Sequence, residues 1–166
     1  MNTITSHYEK QLKEEAEITR KMLKIVPDGQ YDWKPHPKSM SIGQLATHIA
    51  ELPGWIPLGI NTEVLDFAVG EYKPAQIDNN VELLKVFEGN QKQALESLSN
   101  TNDEYLQKSW TMRNGEQVYL TLSKEDVIRM AISQTIHHRA QMGVFLRLLN
   151  IPIPGSYGPS ADEMGF

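Results

Sequence analysis

Ser133-Gln134-Thr135-Ile136-His137-His138-Arg139-Ala140-Gln141 is the stretch on which the fold turns. It lies inside a periodic run that Ser123 opens, with Asp126 at the N3 position, and that Asn150, Pro152 and Pro154 close just past Leu149. Along this run Val127, Ala131, Gln134, His138, Gln141, Phe145 and Leu148 follow one another at steps of three or four residues, the spacing of one helical face. That stripe is expected to face a core. Two of its polar members, Gln134 and His138, lie one turn apart. Each needs a partner there, because burial without a hydrogen bond costs about 1–3 kcal/mol.

Working outward, three more helices are expected. Residues 3–26 form the first, with Ile4, Tyr8, Leu12, Ile18, Met22, Leu23 and Val26 spaced mostly at helical intervals and Pro27-Asp28-Gly29 as the stop. Residues 31–37 read as an extended loop, since Pro35 and Pro37 fix φ and remove donors. Ser41 and Gln44 have capping-box spacing and open a second helix with Ile42, Leu45, Ile49 and Leu52 on its apolar stripe. Pro53-Gly54 kinks or ends it, and a further helical piece is expected from residue 55 to about 67. Residues 79–99 give the third long helix, capped by Asn79 or Asn80, with Val81, Leu84, Phe87, Gln91, Leu95 and Leu98 on one side.

One strand signal interrupts the helices. Residues 109–113 and 117–121 flank Asn114-Gly115, a strong hairpin turn signal. A lone hairpin is marginal in water, so it should pack on the helices. The result is an all-α four-helix bundle with one small β-hairpin before the last helix. The long connections 27–40 and 68–78 admit an up-up-down-down order. The tail, 151–166, reads as irregular.

Composition narrows the function. The 166 residues, 40% hydrophobic and 22% charged, fit one globular domain over 1–166. There is no cysteine, which excludes disulfides, thiolate metal sites and cysteine nucleophiles. The net charge of −5 and the absence of a long basic run argue against a nucleic-acid partner. Neither a signal-peptide core nor a run of about 18 apolar residues is visible, so a cytoplasmic protein without membrane attachment is expected.

His48 sits between Leu45 and Leu52 on the core stripe of the second helix. A histidine there and a Gln134–His138 pair on the last helix can converge inside a bundle, the way facing helices build metal sites. Neutral imidazole is the commonest ligand for zinc, nickel and related ions. A single core-facing histidine is nonetheless more often a hydrogen-bonded structural residue than a ligand. Glu51, one turn after His48, is placed to orient an imidazole, act as base toward water, or sit in solvent. His137 points about 100° away from His138 and belongs at the surface or behind the site. Arg139 is expected in solvent or on a carboxylate of the tail; His7 belongs to the surface and His36 to a loop. Trp33, Trp55 and Trp110 read as packing residues. No phosphate loop, nucleophile elbow or His-Glu-x-x-His pair is present.

Two segments carry a resemblance. Ile136-His137-His138-Arg139-Ala140-Gln141, followed by Val144 to Leu149 and Pro152-Ile153-Pro154-Gly155-Ser156-Tyr157-Gly158-Pro159-Ser160-Ala161-Asp162-Glu163, resembles the C-terminal signature of DinB-like proteins. Leu45-Ala46-Thr47-His48-Ile49-Ala50-Glu51-Leu52-Pro53-Gly54-Trp55 resembles that family's second-helix signature. The resemblance implies a four-helix bundle, often dimeric, whose divalent metal is held by three histidines. His48 matches the first and His138 the third. Position 134, matching the second, is Gln134 here, a neutral and weaker donor than imidazole for zinc or nickel.

The activity implied is that of a metal-dependent enzyme, such as a thiol-dependent S-transferase or a hydrolase, with a small-molecule substrate and a low-molecular-weight thiol as partner. Glu51 would be the base, and Trp55, Tyr157 and Ser160-Ala161-Asp162-Glu163 would rim the pocket. The rival is a binding protein that has kept the pocket and weakened or lost the metal through Gln134. A third reading leaves His48 and His138 as hydrogen-bonded core residues.

Overall fold

The computed structural model describes residues 3–70 and 75–165, so Glu71 to Pro74 of the 68–78 connection and Phe166 of the tail lie outside the described residues. The elements in chain order are α1 (Ile4–Lys24), α2 (Ile42–Glu51), a single 3-10 turn (Leu52–Gly54), α3 (Trp55–Asn61) and β1 (Val64–Asp66). Then come α4 (Asn80–Ser99), α5 (Asp103–Leu106), β2 (Ser109–Asn114), β3 (Gln117–Ser123), α6 (Lys124–Leu148) and α7 (Ala161–Met164).

The caps follow the side-chain chemistry that the sequence offers. Ser41 and Gln44 make a reciprocal capping box on α2. Asn79 caps α4, and Ser123 caps α6 by accepting from the Asp126 N–H. The far end of α6 closes in a Schellman motif. Asn150 turns left-handed at φ 57, the Ile151 N–H donates to the Leu146 carbonyl, and the Asn150 N–H donates to that of Arg147.

Helix directions follow from which residues meet. Arg20 pairs with Glu88 and the Gln91 amide donates to the Leu12 carbonyl, so α1 and α4 run antiparallel. Tyr8 reaches Glu125 and Glu15 reaches Arg139, so α1 and α6 run parallel. Asn90 donates to the Ala50 carbonyl and Asn61 to Ser97, making α2–α3 parallel to α4. The order in the chain is therefore up, down, down, up. Two parallel neighbouring pairs remain around the ring, but the expected up-up-down-down order does not hold along the chain. The 25–41 connection returns the chain to the same end of the bundle at which α1 finished.

Two core clusters fill the bundle. The upper one joins Leu23, Ile42, Leu45, Ile49, Phe87, Met142 and Leu146; the lower joins Leu12, Ile56, Ile60, Leu98, Ile128 and Ile132. Between α3 and α6 the backbone comes very close: a Cβ on Gly59 would stand 2.6 Å from Val127 Cγ1. Only glycine fits there. Val81, placed on the core side of α4 by the periodicity, is 78% exposed, and Leu83 takes the buried position instead.

The hairpin is the central and edge part of a three-stranded sheet, β1-β2-β3, with β1 parallel to β2. Residue 67 is thus not helical. The helix after the kink stops at Asn61, where Thr62 turns extended. There the fully buried Lys124 donates to the carbonyls of Gly59, Ile60 and Thr62. Thr62 also accepts the indole N–H of Trp110, whose fully buried ring anchors the sheet on the bundle. The turn differs by one residue from the expectation. Asn114 pairs with Gln117, and only Gly115, at φ 58, is left-handed, so Gly115-Glu116 form the loop in the pattern of a type II′ turn. Among the described residues no helix is long and apolar enough to cross a membrane.

Candidate functional site

His48 and His138 meet across the α2–α6 seam. Their ring centroids are 4.7 Å apart with an interplanar angle of 76°. Both are half-buried, as is Gln134, so the centre sits on the rim of the bundle and not in its dry interior. The reason lies on α6. Its buried face runs Val127, Ile128, Ala131, Thr135, Arg139, Met142 and Leu146, one residue on from the expected stripe beyond Ala131. Gln134, His138, Gln141, Phe145 and Leu148 therefore occupy the flank of that face.

The residue that shifts the face is Arg139. It is not in solvent and does not hold a tail carboxylate. It is 2% exposed, and its Nη1 donates to the Glu15 carboxylate at 2.6 Å and to Thr19 Oγ1 at 3.0 Å. Nη2 donates to the Tyr157 hydroxyl at 2.7 Å, and that hydroxyl lies 2.8 Å from Glu15 Oε1. A buried guanidinium with its donors paired in this way is tolerable in a core.

Each imidazole has a defined neighbour. Nδ1 of His138 donates to Gln141 Oε1 at 2.9 Å, one turn on, which leaves Nε2 as the nitrogen with a free lone pair. The Gln134 side chain lies near enough to His48 to influence its titration. Burial, and then the nearby His138, push the pKa of His48 below its ordinary value; the Gln134 side chain and the Glu51 carboxylate oppose this more weakly. His48 is accordingly a neutral imidazole at pH 7. His137 is exposed, with its ring 4.9 Å from that of His138, outside the seam.

His48 opens onto a cleft of about 920 Å³ along the outer face of α2. Tyr31, Asp32, Met40, Gln44, Thr47, Glu51 and the 75–78 segment line it. Glu51 accepts the Ala75 N–H at 2.9 Å, so its carboxylate fastens that segment while facing the same cleft as His48. The tail residues lie elsewhere. Tyr157 joins Arg139, Asp162 pairs with Arg147, and the Ser160–Glu163 capping box starts α7. Beside them Met22, Gly143, Arg147, Ile153, Pro154 and Ser160 line a separate apolar cavity of about 440 Å³. Trp55 packs on the lower core cluster. Trp55, Tyr157 and the 160–163 segment thus do not rim the histidine cleft. Sequence reasoning put Gln141 on the stripe without a role, although its three-residue offset from His138 is the signal for the bond it makes.

A bundle of four long helices with two imidazoles facing each other across one seam defines a class of helical proteins built around a small polar centre. Within that class, the DinB family model matches residues 1–165, and the chain belongs to the DinB family. A curated relative, YrdA of Bacillus subtilis (strain 168), described as an uncharacterized protein, is 23% identical over 161 residues, covering 95% of this chain and 90% of its own. Among solved structures, a DinB-like protein from Bacillus cereus ATCC 10987 superposes with a TM-score of 0.71 at 22% identity, over 90% of this chain and 95% of that one. YfiT from Bacillus subtilis, described as "a probable metal-dependent hydrolase with an unusual four-helix bundle topology", gives a TM-score of 0.64 at 13% identity, over 89% of each chain. At these identities the likeness is one of fold.

The donor set can be tested against a divalent ion. Two imidazoles, one with its Nδ1–H held by Gln141 so that Nε2 faces outward, suit zinc or nickel. Among the described residues no three histidines, aspartates or glutamates are arranged to hold a metal together. A third protein donor near them would have to be the Gln134 carbonyl oxygen, one turn before His138 on α6. The residues fit a divalent ion through two strong donors and one weak one.

Proposed function

We propose that this protein is a DinB-family metal-dependent hydrolase or thiol-dependent S-transferase acting on a small molecule bound in the cleft beside His48. The observation that carries the reading is the 4.7 Å juxtaposition of His48 and His138 on facing helices. Such a spacing lets two imidazoles share one ion, since each Zn–N bond is about 2.0–2.1 Å. The description of YfiT supports the hydrolase branch.

His48 and His138 would hold the ion, zinc or nickel, and Gln134 would turn its carbonyl toward it. When bound, the metal supplies Lewis acidity and lowers the pKa of a water or thiol. The chain's own residues do the rest. Gln141 keeps the His138 proton on Nδ1, so the ring cannot rotate away from the seam without losing that bond. Glu51 reaches the cleft from the next turn of α2 and accepts protons there, the base role for which its position suits it. Tyr31 and Met40 give the cleft an apolar wall for the substrate body.

The test is metal content by plasma mass spectrometry on tag-free protein with His138→Ala alongside, followed by a screen of ester, amide and thiol-transfer substrates. Near-stoichiometric zinc or nickel in the wild type, absent from the variant, with metal-dependent turnover, is the expected result. Ligand-induced stabilisation without turnover would instead favour the reading that Gln134 suggests, a binding protein on an inherited metalloenzyme scaffold.

A further inference from the structure

We infer that the centre is incomplete by design of its residues, and that its ligand is a small molecule with an anionic chelating head and a body that is neutral or cationic. The inference rests on the metal-site reading above and extends it to the substrate class.

The protein donors at the centre are all uncharged. His48 and His138 are imidazoles, and Gln134, one turn before His138 on α6, is an amide. No carboxylate joins them in a group of three among the described residues. An ion held this way keeps its full double positive charge and has at least one coordination position to fill. An amide oxygen is a weaker donor than imidazole and brings no charge to the ion. An anionic head that offers two oxygen donors satisfies charge and coordination together.

The cleft constrains the rest of the molecule. Asp32, Glu51 and Asp78 line it, and no lysine or arginine does among the described residues. A second anionic group along it meets like charge, which is disfavoured at any dielectric. Metal retention and ligand binding are then linked: each tightens the other by the same factor.

The experiment measures zinc binding at free-zinc concentrations set by a metal buffer, for the wild type, Gln134→His and His138→Ala. Each is measured alone, with acetohydroxamate, and with the monohydroxamate of succinate. The wild type alone should bind zinc at least about tenfold more weakly than Gln134→His, and acetohydroxamate should tighten it about tenfold or more, within the usual range of linkage. The succinate derivative, with its extra carboxylate, should tighten it less. Wild-type zinc binding as tight as that of Gln134→His, or unmoved by acetohydroxamate, overturns the inference and leaves the metal-site reading standing. Equal promotion by the two probes overturns the charge preference. No zinc on the wild type or on Gln134→His under any condition removes the metal-site reading itself. The comparison of wild type with and without probe needs no variant to fold.

Discussion

The guanidinium of Arg139 lies 2.6 Å from the carboxylate of Glu15, inside the bundle and one residue past His138. The pair joins the two parallel helices α1 and α6, and the Tyr157 hydroxyl bonds to both partners. Breaking a buried pair leaves one charge without a partner, which typically costs about 3–5 kcal/mol. Arg139→Ala and Glu15→Gln should each lose stability in that range in urea unfolding, whereas Tyr157→Phe, which removes one hydroxyl, should lose about 1 kcal/mol. Equal losses for all three would mean that the tail contributes as much as the ion pair.

Lys124 tests the junction of bundle and sheet. Its ammonium donates to the carbonyls of Gly59, Ile60 and Thr62 with the side chain fully buried. Lys124→Met keeps much of the packing and strands those acceptors, so a loss of about 2–3 kcal/mol is expected by denaturant titration. A neutral effect would show that water reaches the three carbonyls.

The His48 environment makes stability depend on pH. Its folded pKa lies below the ordinary 6.5 because burial, then His138, disfavour its charge. The unfolded chain therefore takes up the proton first as pH falls. The contribution is fully present above 6.5 and is lost as the pH drops through the lower folded value. Urea midpoints between pH 7.5 and about 5 should fall, and the fall should be shallower in His48→Gln. An unchanged slope in the variant would assign the dependence to another group.

The tail responds at much lower pH. Arg147, and then the Ile153 N–H, hold the Asp162 carboxyl down at about 2, below its ordinary 3.8. Its contribution is present above 3.8 and is lost as pH falls through about 2. Asp162→Asn should expose the 151–165 segment to limited proteolysis at neutral pH, with the bundle intact by far-UV circular dichroism. Resistance equal to the wild type would show that the Ser160–Glu163 capping box alone holds the tail.

The elements with local signatures were readable in the sequence. Ser41-Gln44, the pair Asn79-Asn80 and Ser123-Asp126 mark three helix starts, and the caps form at Ser41, Asn79 and Ser123. The meeting of His48 and His138 was readable too, since each sits beside the core face of its own helix. A charge in the core hides the true face of α6. Arg139 reads as a surface residue, so the apolar periodicity runs through His138, and only Glu15, 124 positions away in sequence, reveals the buried face. Strand β1 is three residues long and owes its existence to pairing with β2, a long-range partner invisible in a local window. The roles expected of Tyr157 and Ser160 to Glu163 failed for the same reason, because their partners lie on α1, on α6 and within the tail itself.

Gly59 bears on the chemistry from a distance. It touches Val127 where α3 and α6 come together, and His48 and His138 each lie eleven residues from that contact along their own arm of the chain. The two arms act as the jaws of a clip with its fulcrum at a hydrogen atom. Relaxing a 2.6 Å contact to the usual 3.5–4.0 Å would spread the fulcrum by about 1 Å. Gly59→Ala would then widen the gap that two imidazoles must bridge, although the substituted position touches neither ring. The gauge of the centre is thus expected to respond to a single methyl group added at the other end of the jaws, which the spacing of the two rings in Gly59→Ala would report.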